Sequence, residues 1–363
     1  MHVVAFSPDG RTLAASGGAA GVTLWDVSDP RRPSLRGRIP ATRGADVNAV
    51  AFSPDDRTLA AGSANGRIQL WNVAGPGGSA PLGTPLDAGT AAVNAVSFSP
   101  NEQVLAAGTA DGKIVAWPVR VPGTRFGAGI VMPGPVLAEA PGSVFAVSFS
   151  SGGTGSSGGT GARQVLAVAS APPDGRGQVQ LWDVADPSRP VALGRPLTAA
   201  DALDGTVAYG AGGRLAAGSA DGTVQLWDTR AAARPVRLPS PPTALKTAIQ
   251  NVAFDSTGRL LAAGSTDGTI EIWDTANPGH TVPLALLADA SGGQSGQDAF
   301  AVAFSPDGHT IAAGSQDATT HLWRVTPTSA AAYVCAISGT PITRTEWSQY
   351  IPGRPYDPPC RPA

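Results

Sequence analysis

The sequence is poor in almost every residue that carries chemistry. Only two of its 363 residues are cysteine, Cys335 and Cys360, both near the C-terminus. With no partner ligands at metal spacing they make no zinc site. They either clamp the tail as a disulfide or, in a reducing cytosol, stay as thiols. The four histidines, His2, His280, His309 and His321, are scattered along the chain with no carboxylate cluster beside them. Charged residues make up 14 %, the net charge is −2, and Lys113 and Lys246 are the only lysines. No Lys/Arg block is present, so the electrostatic footprint of a nucleic-acid binder is missing. No run of 18 apolar residues exists to cross a membrane, and no signal peptide precedes the first strand pattern. These absences point to the cytoplasm; the alternative is the extracytoplasmic part of a longer membrane-attached protein. No G-x-S-x-G elbow occurs. The Gly-rich "SSGGTGSSGGTGAR" starting at Ser150 lacks the terminal Lys-Ser/Thr of a phosphate loop and reads as a flexible surface insertion. No catalytic residue, cofactor site or metal site is expected.

Ala, Gly and Pro are abundant instead, and arginine far outnumbers lysine. That bias fits a GC-rich, bacterial coding sequence. The abundant residues fall in a repeat. Trp25, Trp71, Trp117, Trp182, Trp227, Trp273 and Trp323 are spaced by 46, 46, 65, 45, 46 and 50 residues, with Trp347 out of period. Ahead of each runs a segment such as "VNAVAFSPDD" at Val47 or "FAVAFSPDG" at Phe300. The weak copy is "TVAYGAGG" at Thr206, where Tyr209 replaces Phe. Between the two markers lies "LAAGS", as at Leu59, Leu215 and Leu261. Seven copies result.

Each copy reads as four short strands. "VNAVAFSP" alternates small and large apolar residues, and "SPDG" is good turn chemistry. "TLAAGS" follows. "DG" or "NG" then makes a tight hairpin, at Asn65-Gly66, Asp111-Gly112, Asp221-Gly222 and Asp267-Gly268. "TVQLWDT" is the third strand, and Pro-rich stretches such as "RPVALGRPL" suit an outer edge strand. A lone four-stranded sheet cannot bury two apolar faces, but seven in a closed ring can. The fold class expected is all-β: a seven-bladed propeller of four-stranded antiparallel blades over residues 1–326, with a short, partly helical tail over 327–363.

The spacing, the "DG" hairpin and the "WD" dipeptide resemble the WD-repeat family, of bacterial type. The resemblance implies a non-enzymatic scaffold that binds a protein or peptide, and it makes the seven tryptophans and Asp111, Asp221, Asp267 and Asp317 structural. The chain departs from that family in lacking a Gly-His pair before the first strand, and Asn65 and Ala19 replace the Asp in two copies. The internal polar network is therefore incomplete, and tryptophan packing must carry more of the adhesion between blades.

One column varies where the others are nearly uniform. Four residues before the Phe/Tyr of each first strand stand His2, Asn48, Asn94, Phe145, Gly205, Gln250 and Phe300. In propellers that this chain resembles, the position lies near the mouth of the central channel, on the face that grips partners. Phe145 and Phe300 either anchor a peptide or pack in the channel wall. An enzyme at this mouth would need convergent His and carboxylates, and the column holds one His and no acid. A purely structural, self-associating module is a third reading.

Met1 abuts the first strand, so no N-terminal outer strand is available to complete the last blade. Either the chain is a fragment of a longer protein or the tail supplies that strand. "AAAYVCAIS" at Ala330 reads equally as strand or helix. Thr343 with Glu346 forms a capping box, and Pro352-Gly353 ends that helix. The tail resembles the C-terminal segment of bacterial WD-repeat regions attached to signalling NTPase or kinase modules, which implies an N-terminal partner domain.

Overall fold

The computed structural model describes residues 3–17, 20–41, 44–75, 79–119, 136–150, 164–172, 177–198, 203–277, 279–287, 299–315 and 319–325. One compact unit runs from Met1 to Leu322; the other, Trp323–Ala363, lies almost wholly outside the described residues. The readings for His2, Ala19, Asp317, Cys335, Cys360, the Gly-rich insertion and the tail helix therefore fall outside them.

The fold is all-β. Six antiparallel sheets have four strands each, and the seventh has three described strands. Strands follow chain order across every sheet, which makes each sheet a meander. The first strand of every sheet lies innermost. These are Val4–Phe6, Val47–Phe52, Val93–Phe98, Ser143–Phe149, Leu203–Gly210, Ile249–Phe254 and Ala299–Phe304. Each touches the next, and the last returns to the first, so the ring is closed. The seven sequence copies are the seven blades.

The core is not central but divided among the seams between blades. Between blades one and two, Leu24 and Ile39 meet Val50, Phe52, Leu59 and Trp71. Between blades two and three, Leu70 and Leu86 meet Phe98, Leu105 and Trp117. Trp227 and Trp273 close the seams between blades four and five and between blades five and six in the same manner. Trp71, Trp117, Trp227 and Trp273 thus pack on the preceding blade, beside an apolar residue near that blade's outer edge. The polar network does stop short of the tryptophans. The indole N–H groups of Trp71, Trp117 and Trp182 are buried without a partner among the described residues. Only the short hairpin network is built, as where the Thr109 hydroxyl donates to Asp111 at 2.6 Å. Trp273 differs from these three: its Nε1 donates to the Pro242 carbonyl at 2.8 Å.

The "LAAGS" glycines serve the same seams. Gly62, Gly108 and Gly218 lie against Val93, Val144 and Ile249, which open the following blade's inner strand. A β-branched side chain occupies the space a Cβ would take.

Turn chemistry explains the "SPDG" and "DG" motifs. In blade one the Ser7 hydroxyl donates to Asp9 at 2.6 Å, the Arg11 N–H donates to the same oxygen, and the Thr12 N–H donates to Ser7 Oγ. Blades two and seven repeat this with Ser53–Asp55 and Ser305–Asp307. The "DG" hairpins have three-residue loops: Ser265 N–H donates to Thr269 O, and only Gly268 has positive φ. This is a type I turn followed by a left-handed glycine.

The left-handed position of "SPDG" is glycine at Gly10 and Gly308, but Asp56 (φ 62°) in blade two and Glu102 (φ 59°) in blade three. A left-handed L-residue costs about 1–2 kcal/mol, offset by about 0.5–1 for the extra chain freedom of glycine. Glu102→Gly is therefore expected to raise stability by about 0.5–1 kcal/mol. Asp56→Gly should gain less, because Asp56 Oδ1 accepts the Asp9 N–H of the neighbouring blade at 2.7 Å. Urea midpoints for the two variants test this. A fall in midpoint for Glu102→Gly would refute it.

Candidate interaction face

The inner strands do not pair evenly with their neighbours. In blade two, Val47 faces Ser63 and Ala49 faces Gly62, which leaves Asn48 out of register. In blade three Val93 faces Thr109 and Ala95 faces Gly108, skipping Asn94. Blade four skips Phe145, blade six skips Gln250, and blade seven skips Phe300. In blade five the shift lies between Leu203 and Val207, a longer excursion that includes Gly205. In five of the described inner strands the variable column of the sequence is thus the bulge residue. A bulge leaves its extra residue unpaired in the ladder and re-aims its side chain. The bulges sit at the strand end beside the three-residue hairpins.

The column residues differ in what they do. Asn48 and Gln250 are half-buried at their bulges. Asn94 is committed to the fold: its Nδ2 donates to Val144 O at 3.0 Å and Ser143 Oγ at 3.3 Å, tying blade three to blade four. Phe145 is half-buried and packs on the cluster shared by blades four and five. The backbone of Phe300 is placed at its bulge; its side chain, like His2, lies outside the described residues.

Polar bridges between inner strands hold this wall rigid. The Val252 N–H donates to Thr206 Oγ1 at 2.9 Å, Val302 N–H to Asn251 Oδ1 at 3.2 Å, and Tyr209 N–H to Ser148 Oγ at 3.2 Å. Tyr209, the substitute for Phe, is half-buried against the seam between blades four and five, with its hydroxyl turned inward, and desolvation there pushes its phenol pKa up.

A second set of bridges, made by arginine, has no signature in the sequence. Arg36 is the bulge residue of the outer strand Ser34–Ile39 in blade one. Its guanidinium donates to Thr12 Oγ1 and, at 2.8 Å, to the Val73 carbonyl of blade two. Arg214 in blade five likewise donates to the Gly258 and Thr275 carbonyls of blade six, at 2.5 and 2.6 Å. In sequence neither differs from a solvated arginine, because the acceptors lie on the next blade.

Among the described residues no group of three or more His, Cys, Asp or Glu is arranged to hold a metal ion. No described helix is long and apolar enough to cross a membrane. Comparison with curated proteins finds no match. The model of the WD domain, G-beta repeat, matches residues 34–72, 80–118, 203–228, 242–274 and 291–324. The first of these matches begins in the outer strand of blade one and ends in the third strand of blade two, Arg67–Asn72. The first two matched units, 34–72 and 80–118, are therefore offset by one strand from the blade, each joining the outer strand of one sheet to the first three strands of the next. The chain is thus a seven-bladed β-propeller that carries five matched WD repeats.

Proposed function

We propose that this propeller is a non-enzymatic docking scaffold that takes a protein or peptide partner at the channel mouth. In this reading it is the sensor or docking part of a bacterial signalling protein and works in the cytoplasm. WD-repeat propellers generally serve as interaction scaffolds, and loops and strand ends on a rigid frame are where binding resides. The observation that carries the reading is the coincidence of the variable column with the bulges. Residues freed from the ladder, on a wall stiffened by inter-blade bridges, can meet a partner without reorganising.

The test compares wild type with Asn48→Ala/Gln250→Ala, two bulge residues outside the seam clusters. Asn94 and Phe145 are unsuitable, because their loss would disturb the seams. The double variant should melt like wild type and lose most of the specific partners that wild type retains from lysate, as read by mass spectrometry. An unchanged partner set with an unchanged melt would rule out the mouth column as the docking face.

A further inference from the structure

The opposite face, where the "SPDG" turns lie, holds a cavity of about 720 Å³ at the seam between blades seven and one. Its meaning comes from comparison with the two arginine bridges. At the seam between blades one and two, a guanidinium lies between Thr12 and the carbonyl of Val73, two residues past Trp71. At the seam between blades five and six, a guanidinium reaches the carbonyl of Thr275, two residues past Trp273. The equivalent groups at the seam between blades seven and one are Thr310, in the place of Thr12, and Val27, two residues past Trp25. Both line the cavity. No described arginine occupies that position.

The wall adds carboxylates. Asp9, Asp26 and Asp307 all line the cavity. Each commits Oδ1 to its own turn: Asp9 to Ser7 and Arg11, Asp26 to Ser28, Asp307 to Ser305 and His309. Their Oδ2 atoms accept no hydrogen bond among the described residues. The Ser28 hydroxyl and N–H hold the Asp26 carboxyl below the usual carboxylate range, so it is ionised at neutral pH. Two arginines also border the space. Arg36 is already engaged with Thr12 and Val73, and Arg11 is exposed. Three acids against two bases leave the lining one negative charge in excess. Phe6 and Val27 offer an apolar wall for an aliphatic stem.

We infer that this cavity is a socket for a guanidinium, the side chain of an arginine presented by a peptide partner. The planar fork suits one carbonyl, one hydroxyl and flanking carboxylates together, whereas an ammonium is a single point charge. This site is independent of the channel mouth.

The experiment is calorimetric titration of the full chain with Nα-acetyl-L-arginine amide, with the lysine analogue and free L-arginine in parallel. Saturable binding of the arginine amide is expected, about tenfold or more tighter than the lysine analogue. Asp26→Asn/Asp307→Asn should weaken it about tenfold or more. Asparagine keeps the turns, since Asn72 and Asn101 cap the equivalent turns in blades two and three. If the double variant melts low, Asp26→Asn alone carries the test with a smaller loss. The mouth variant Asn48→Ala/Gln250→Ala should bind as wild type does. Free L-arginine binding as well as the amide would assign the socket to the amino acid itself; weaker binding would assign it to a peptide. No saturable binding, equal affinity for arginine and lysine amides, or full binding by the folded Asp→Asn variants would overturn the inference.

Discussion

Trp273→Ala is expected to remove about 3–5 kcal/mol of stability, much of the total of about 5–15 kcal/mol available to a native domain. Trp273 is 0 % exposed. It fills the seam between blades five and six, against Leu226, Leu245 and Ile249. Its loss opens a cavity at the contact that holds the two blades together, and it frees the Pro242 carbonyl from its indole partner. That carbonyl belongs to the connection that Glu271 also grips, accepting from the Ala244 N–H at 2.8 Å and the Thr243 hydroxyl at 2.9 Å. Trp227→Ala should behave similarly, being 3 % exposed. Trp25 and Trp182 are only half-buried, so their alanine variants should lose less. Urea unfolding of the four variants gives the order. A melting temperature for Trp273→Ala within a few degrees of wild type would contradict the view that the seams carry the fold.

Gly108→Val should be comparably damaging without removing any contact. A Cβ at residue 108 would stand 2.2 Å from Cγ1 and 2.9 Å from Cβ of Val144. Val144 is fully buried and, being β-branched, is stiff about its first torsion, so it cannot turn aside. Overpacking of a filled core costs about 1–3 kcal/mol, occasionally more, and the two further methyls of valine place this substitution at the upper end. The same crowding awaits Gly218, where the Cβ would meet Ile249 Cγ2 at 2.5 Å. The diagnostic is a double-mutant cycle: Gly108→Ala/Val144→Ala should recover part of the loss of Gly108→Ala alone. Purely additive effects would show that the two residues do not share one space.

The sequence made the blades legible because a blade is a local object. Trp117, Phe98 and the Asp111-Gly112 turn lie within one repeat, and period, alternation and turn chemistry report them directly. What it could not report were relations across a seam. "LAAGS" showed a glycine at Gly108 but not Val144 filling its vacant side. Arg36 and Arg214 looked like any surface arginine, since their acceptors are carbonyls 37 and 61 residues away. The mouth column was visible as variation at Asn48, Asn94 and Gln250, but its cause was not. Register is a property of two strands, and the bulge at Asn48 exists only relative to Gly62 and Ser63. Asn94 shows the limit of the column as a site: one of its members is a brace between blades.

The bulges have a consequence for divergence. A residue outside the ladder can be exchanged without losing a ladder hydrogen bond, so most substitutions at Asn48 or Gln250 cost the fold little. A partner docked at this column, as proposed above, would by contrast meet each exchange directly. Selection can therefore retune recognition here one position at a time, while the tryptophans and glycines of the seams stay fixed. Descendants of this chain are free to change allegiance without first acquiring spare stability.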